Sequence, residues 1–139
     1  ASFIQAFTRI GLMPDAGGTY WLPRQAGFAR AMGAMLFADR ISARQAADWG
    51  MIWEAVADDT FSAHWQGRAA ALAAGPSVAY RAVKAALRKS FVNDLAGQLA
   101  LEARLQGTCG KTADFLEGVS AFLEKRKPDY SSFRRPKNQ

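Results

Sequence analysis

A mainly helical chain, with about six or seven helices and at most two short strands, is predicted by three observations. Apolar residues recur at helical spacing through the second half, as in Phe61, Trp65, Ala69 and Leu72. Helix-start signatures punctuate the chain, with Ser42 and Gln45 forming a capping box and Thr112 standing before another apolar run. Strand-like composition is confined to Ser2–Phe7 and Met51–Val56. Two strands alone do not make a stable sheet, so both are expected to belong to a larger one.

In order along the chain, Ser2–Phe7 reads as a strand with Phe3 and Phe7 on alternate steps with Gln5. Pro14 ends whatever precedes it. Asp15, or a residue just after it, is then expected to cap a short helix containing Tyr20, Trp21 and Leu22. Pro23 and Gly27 bracket a turn, and residues 28–38 are apolar on nearly every face, which predicts a buried helix. The helix after Ser42 stops at Gly50, a residue suited to a left-handed C-terminal turn. Gly75 and Pro76 end the helix carrying Phe61 and Trp65, and Ser77 caps the next, whose Val83 and Leu87 are expected to face inward. Asn93 and Asp94 open a helix with Leu95, Leu99 and Leu105. The last, from Thr112, carries Phe115, Val119 and Phe122 and ends before Pro128. This divides the chain into residues 1–57 with the Asp15 turn, a helical region over 58–130 and a basic tail over 131–139.

Composition narrows the function classes. The 139 residues are 50% hydrophobic, enough for a real core, with no run near the roughly 18 apolar residues of a membrane span. No signal peptide is visible, and Ala1 in place of Met suits a processed chain or a fragment. Single cysteine and histidine residues, Cys109 and His64, argue against an internal disulfide and a Cys- or His-based metal site. They fit a reducing compartment, the cytoplasm. The net charge of +6 points to solubility with a basic tail or to an anionic partner. Six of the eighteen basic residues, Lys125, Arg126, Lys127, Arg134, Arg135 and Lys137, lie in the last fifteen positions. Neither a helix-turn-helix signature nor an RNA-recognition aromatic motif accompanies them, which argues against nucleic acid.

The run Gly11-Leu12-Met13-Pro14-Asp15-Ala16-Gly17-Gly18 places one acid in a sharp turn ahead of a helix. Asp15 reads either as a helix cap or as a general base held by its backbone beside a ligand. Gly17 and Gly18 either relieve a tight turn or let backbone approach a ligand. Phe122 and Lys125 read as a core aromatic and a solvated helix end, or as a stacking face and a point charge for an anionic ligand. His64 reads as a surface or packing residue, and Cys109 as an inert thiol. Tyr20, Trp49 and Trp53 either pack or line a pocket.

Residues 6–19 (AFTRIGLMPDAGGT), Leu22-Pro23-Arg24, residues 27–31, Asp39–Ala43 through Gly50, and Glu117–Arg126 together resemble the crotonase (enoyl-CoA hydratase/isomerase) superfamily. The matches run in order over residues 1 to about 130 and correspond to the C-terminal portion of the α/β ClpP/crotonase spiral fold. The resemblance implies an acyl-CoA thioester substrate, CoA as part of that substrate with no further cofactor, and a homo-oligomer, a trimer or hexamer. It also implies Asp15 as the catalytic acid/base, with Phe7, Gly17, Gly18, Phe122 and Lys125 at the substrate and CoA site. Similar hydratases carry Glu where this chain has Phe7 and a small residue where it has Asp15, whereas several isomerases carry an acid at the latter position. Gly11–Asp15 together with Trp49–Trp53 looks most like the isomerases of ring-epoxidised phenylacetyl-CoA. Such enzymes form the oxepin or shift a β,γ double bond into conjugation, and Phe7 would wall the acid with apolar surface that raises a carboxyl pKa. The enolate's hydrogen-bond donors come, in that family, from the half not matched here, so the chain alone is expected to be inactive. The alternatives are a fatty-acid enoyl-CoA hydratase/isomerase and a non-catalytic helical oligomerisation module.

Overall fold

The computed structural model describes residues 1–131. The basic tail expected over 131–139, apart from Ser131, lies outside the described residues. The described chain contains β1 (Ser2–Phe3), a 3-10 helix (Ala6–Ile10), α1 (Gly18–Ala26), α2 (Phe28–Phe37), β2 (Ile41–Ser42) and α3 (Ala43–Asp48). Four longer helices follow: α4 (Asp58–Ala74), α5 (Ser77–Ser90), α6 (Leu95–Cys109) and α7 (Ala113–Leu123). None of these helices is long and apolar enough to cross a membrane. Two compact units divide the chain, Ala1–Phe61 and the residues from Ser62 onward.

In the first unit the core is small: Leu22, Ala26, Ala31, Ala34, Ile41 and Ala46, with Phe3, Met35, Trp49, Met51 and Ile52 packed against it. Alanines at 26, 31 and 34 allow α1 and α2 to approach closely across Gly27, whose φ of 88° makes the sharp corner. Pro23 lies inside α1 rather than in a turn. The helix instead ends at Gly27, whose N–H donates to the Pro23 carbonyl at 3.1 Å. The expectation that α2 is buried all round is corrected. Only its alanine face is covered, while Phe28 and Phe37 are each 72% exposed.

The expected strand over Ser2–Phe7 is cut to two residues, paired antiparallel with β2 in the register Ser2 to Ser42 and Phe3 to Ile41. The rest winds into the 3-10 helix because its side chains have partners on α2. Thr8 Oγ1 donates to the Met35 carbonyl at 3.0 Å, and the Arg9 guanidinium to the Ala38 carbonyl at 2.6 Å. Both satisfy carbonyls that the end of a helix leaves open, and Arg9 brings positive charge to its negative pole. The expected strand over Met51–Val56 is absent. Gly50, at φ 78°, closes α3 with a Schellman turn in which Gly50 N–H bonds the Ala47 carbonyl and Met51 N–H that of Ala46. Ile52 N–H also reaches the Ala46 carbonyl at 3.4 Å, so these donors serve the helix end rather than a ladder.

In the second unit α5 and α6 pack side by side, tied by Gln98 Nε2 to the Ala86 carbonyl at 3.2 Å. Asp94 caps α6 through a 2.7 Å bond from Gly97 N–H, and Thr112 caps α7 through Phe115 N–H at 3.2 Å. The residue capping α5 is Pro76, and Ser77 is already helical. Val83 and Leu87, expected inward, are exposed.

The capping box holds as the sequence predicts: Gln45 N–H bonds Ser42 Oγ at 3.2 Å and Ser42 N–H bonds Gln45 Oε1 at 3.3 Å. Ser42→Ala removes both the cap and the reciprocal bond at the strand-to-helix junction. It should destabilise the chain by ~1 kcal/mol in urea denaturation, with an unchanged midpoint counting against the box.

Candidate active-site turn and anion grip

The first candidate site is the Asp15 turn. Pro14 is buried and anchors it. Ala16 at φ 50° and Gly17 at φ 81° are both left-handed, and Gly18 N–H returns to the Asp15 carbonyl at 2.8 Å, the form of a type I′ turn. Gly17, not Asp15, is the N-cap of α1, and there is no side-chain cap hydrogen bond at that end. The Asp15 side chain is exposed and has no hydrogen bond or ion pair among the described residues.

The backbone beneath that carboxylate is held firmly. Tyr20 and Trp21 N–H groups both bond the Gly17 carbonyl, at 3.0 and 2.9 Å. A Cβ at position 17 would stand 3.1 Å from Trp21 Cδ1, so both conformation and space demand glycine there. Gly18 differs: its φ is ordinary, and a Cβ would meet Pro14 Cβ at a tolerable 3.4 Å. Tyr20 and Trp21 meet edge to face at 4.9 Å, and the Arg24 guanidinium lies 3.6 Å over the Tyr20 ring. Phe7 sits half-buried in the 3-10 helix rather than on a strand, its carbonyl accepting from Leu12 N–H at 3.0 Å. Trp49 packs on the core and Trp53 is exposed.

The second candidate site is the end of α7, in the other unit. Phe122 is 82% exposed and is not packed in a core formed by the described residues. Lys125 N–H bonds the Phe122 carbonyl at 3.2 Å and Arg126 N–H bonds that of Ala121 at 3.0 Å, so α7 ends in a Schellman turn. The left-handed position of that turn is Lys125 itself, at φ 53°. Phe122 and Lys125 therefore share one helix end. Phe122 also borders an apolar groove of about 890 Å³ between α5, α6 and α7, with Val83, Leu99, Phe115 and Tyr130.

Arg126 forks onto Glu117, with Nη1 2.5 Å from Oε1 and Nη2 3.1 Å from Oε2, while its Nε lies 2.5 Å from Glu124 Oε2. Asp129 N–H adds a 2.8 Å bond to Glu117 Oε1. The Arg126 bonds and the Asp129 amide hold the Glu117 carboxyl down to about 2, against an ordinary 4.5. The same carboxylates raise the Arg126 pKa further. Bonds from the Ser131 hydroxyl and amide lower that of Asp129.

A sequence profile of the enoyl-CoA hydratase/isomerase family matches residues 1–134. The chain belongs to the enoyl-CoA hydratase/isomerase family. It is 64% identical over 131 residues to a probable enoyl-CoA hydratase of Rhodobacter capsulatus, covering 94% of this chain and 51% of the relative. It is 47% identical over 131 residues to a 1,2-epoxyphenylacetyl-CoA isomerase of Escherichia coli, covering 94% of this chain and 50% of that one. Among solved structures, a putative enoyl-CoA hydratase/isomerase from Mycobacterium abscessus superposes with a TM-score of 0.86 at 38% identity, over 94% of this chain and 50% of that one. The chain thus spans about half the length of the curated relatives it matches. The expected fold class holds: seven α-helices and two short strands among the described residues, matching a portion of the crotonase fold.

Within this enoyl-CoA hydratase/isomerase chain, Asp15, Gly17, Gly18 and Phe7 fall in the first unit and Phe122 and Lys125 in the second. No group of His, Cys, Asp and Glu that could hold a metal occurs among the described residues. His64 lies half-buried on α4, and Cys109, a free thiol, borders the groove. The Glu117–Arg126 pair was not readable as a contact. The partners stand nine residues apart, and only the reversal at Lys125 brings them together.

Two outcomes test this geometry. Ala16 is an alanine in a left-handed conformation, so Ala16→Gly should stabilise the chain by ~0.5–1 kcal/mol, read by chemical denaturation. Glu117 has a folded pKa below its ordinary value, so the fork's contribution is complete above pH 4.5 and fades as pH falls toward about 2. The difference in Tm between the chain and its Glu117→Gln variant should shrink over that interval; a difference independent of pH would contradict the assignment.

Proposed function

We propose that the chain carries the acid/base of an acyl-CoA isomerase, with ring-epoxidised phenylacetyl-CoA as the most specific substrate. The observation that carries this reading is the Asp15 carboxylate: exposed, without a partner among the described residues, and raised on a turn whose backbone is locked. An aspartate at this position would ordinarily cap the helix, and here Gly17 occupies that place. The carboxylate remains available to move a proton.

In a double-bond shift, one base removes a proton from the carbon beside the thioester and delivers it two carbons away. A single carboxylate serves both steps. The enolate between them needs hydrogen-bond donors aimed at the thioester oxygen. Those donors are assigned to a segment outside this chain, consistent with its spanning about half the length of its relatives. On this reading the isolated chain is inactive, and the working protein is a cytoplasmic homo-oligomer. Phe122 supplies a stacking face for the adenine of CoA and Lys125 a charge for its phosphates. Gly17 keeps the turn compact beside the acyl group, with Gly18 next to it and Phe7 as an apolar neighbour.

Hydration is the second reading, favoured by the name of the 64% identical relative, a probable enoyl-CoA hydratase. A hydratase uses two carboxylates, one for water and one for the carbon-bound proton, and Phe7 stands where similar hydratases carry Glu. In an enzyme joining this chain to the donor-bearing half of the family, deuterium exchange beside the thioester should fall about 10²- to 10⁴-fold in Asp15→Asn. Unchanged exchange would sink the role of Asp15. Addition of water to an enoyl-CoA at a rate matching that exchange would favour hydration.

A further inference from the structure

We propose that Glu117 and Arg126 are positioning residues, which act through Lys125 to set the anion contact at the end of α7. This rests on the reading of Lys125 as a grip for the phosphates of a CoA-type nucleotide.

The backbone carries the first part of the inference. Two helices end in the same Schellman geometry, and α3 uses Gly50 at the left-handed position, as steric cost dictates. In α7 that position is Lys125, where a side chain costs ~1–2 kcal/mol relative to glycine. A strained residue persists only where its surroundings hold it. The residue on each side of Lys125 is held by the same guanidinium: Arg126 is itself forked onto Glu117, and its Nε holds Glu124. Asp129 N–H on Glu117 pins the chain beyond the turn to the same helix.

Charge carries the second part. Lys125 is exposed and has no ion pair among the described residues, although Glu124 precedes it directly. A free Glu124 carboxylate would compete with a phosphate for the ammonium. Arg126 engages that carboxylate and forks onto Glu117 as well. The lysine therefore projects from a fixed turn with its charge uncancelled, suited to a phosphorylated nucleotide as a point charge.

Calorimetric titration of this chain with coenzyme A tests the proposal. Lys125→Gly keeps the turn and removes the charge; it should weaken binding while raising Tm. Glu117→Gln and Arg126→Met should raise Kd about two- to tenfold, the weight of ordering one long side chain, with the number of sites per chain unchanged. Arg126→Lys cannot fork and should behave like Arg126→Met. If Lys125→Gly binds as the parent does, or the parent does not bind coenzyme A, the reading of Lys125 fails and the inference with it. If Lys125→Gly weakens binding but the Glu117 and Arg126 variants keep the parent Kd, at full or reduced site number, positioning is overturned and the reading of Lys125 stands.

Discussion

Close packing through alanine is the constraint on which the first unit depends. Ala26, Ala31 and Ala34 let α1 and α2 meet closely, with Leu22 as the one large side chain of that buried cluster on these two helices, and Ala46 extends the same core to α3. Such a core removes little apolar surface from water per residue. Helix ends therefore matter more than usual, and the unit invests its polar side chains there. Thr8 and Arg9 close the carbonyl end of α2, and Ser42 with Gln45 closes the amide end of α3. The bulky residues left outside, Phe28, Met32, Leu36 and Phe37 among them, give α2 an open apolar face. They belong to a chain that spans about half the length of its curated relatives.

Both candidate sites follow from backbone conformation before any side-chain chemistry. A left-handed pair at Ala16 and Gly17 lifts Asp15 off the helix it would otherwise cap, and a left-handed Lys125 turns the chain back along α7. In each case a neighbour locks the unusual geometry: Trp21 against Gly17, Arg126 against Glu117. The chemistry proposed for each side chain depends on its being held outward with few internal partners, and those turns provide that.

Sequence reasoning recovered the helices because capping residues act locally. Ser42, Asp94 and Thr112 each mark a start that the structure keeps, and Gly50 marks a stop. It failed where a local pattern was answered from elsewhere. Met51–Val56 has strand composition, but its first amides were taken by the end of α3. Ser2–Phe7 has strand composition too, yet carbonyls of α2, nearly thirty residues on, draw Thr8 and Arg9 into a different winding. Residues 28–38 are apolar on nearly every face and α5 carries Val83 and Leu87, but neither composition nor spacing reports whether anything covers a face. At the sites, an acid in a glycine turn was legible. That its carboxylate has no partner among the described residues, and that Glu117 meets Arg126, required the fold.

Among the described residues three non-glycine positions have positive φ, Ala16, Ala38 and Lys125, and they bear on how such a sequence can drift over descent. Each tolerates glycine, and the exposed Ala16 and Lys125 also asparagine, but a β-branched residue there meets its own backbone. Valine, isoleucine and threonine are therefore closed to these positions whatever their surface exposure. Ala16 and Lys125, which look permissive by solvent accessibility, are thus narrow sites, and their variation among descendants should be governed by torsion rather than by polarity.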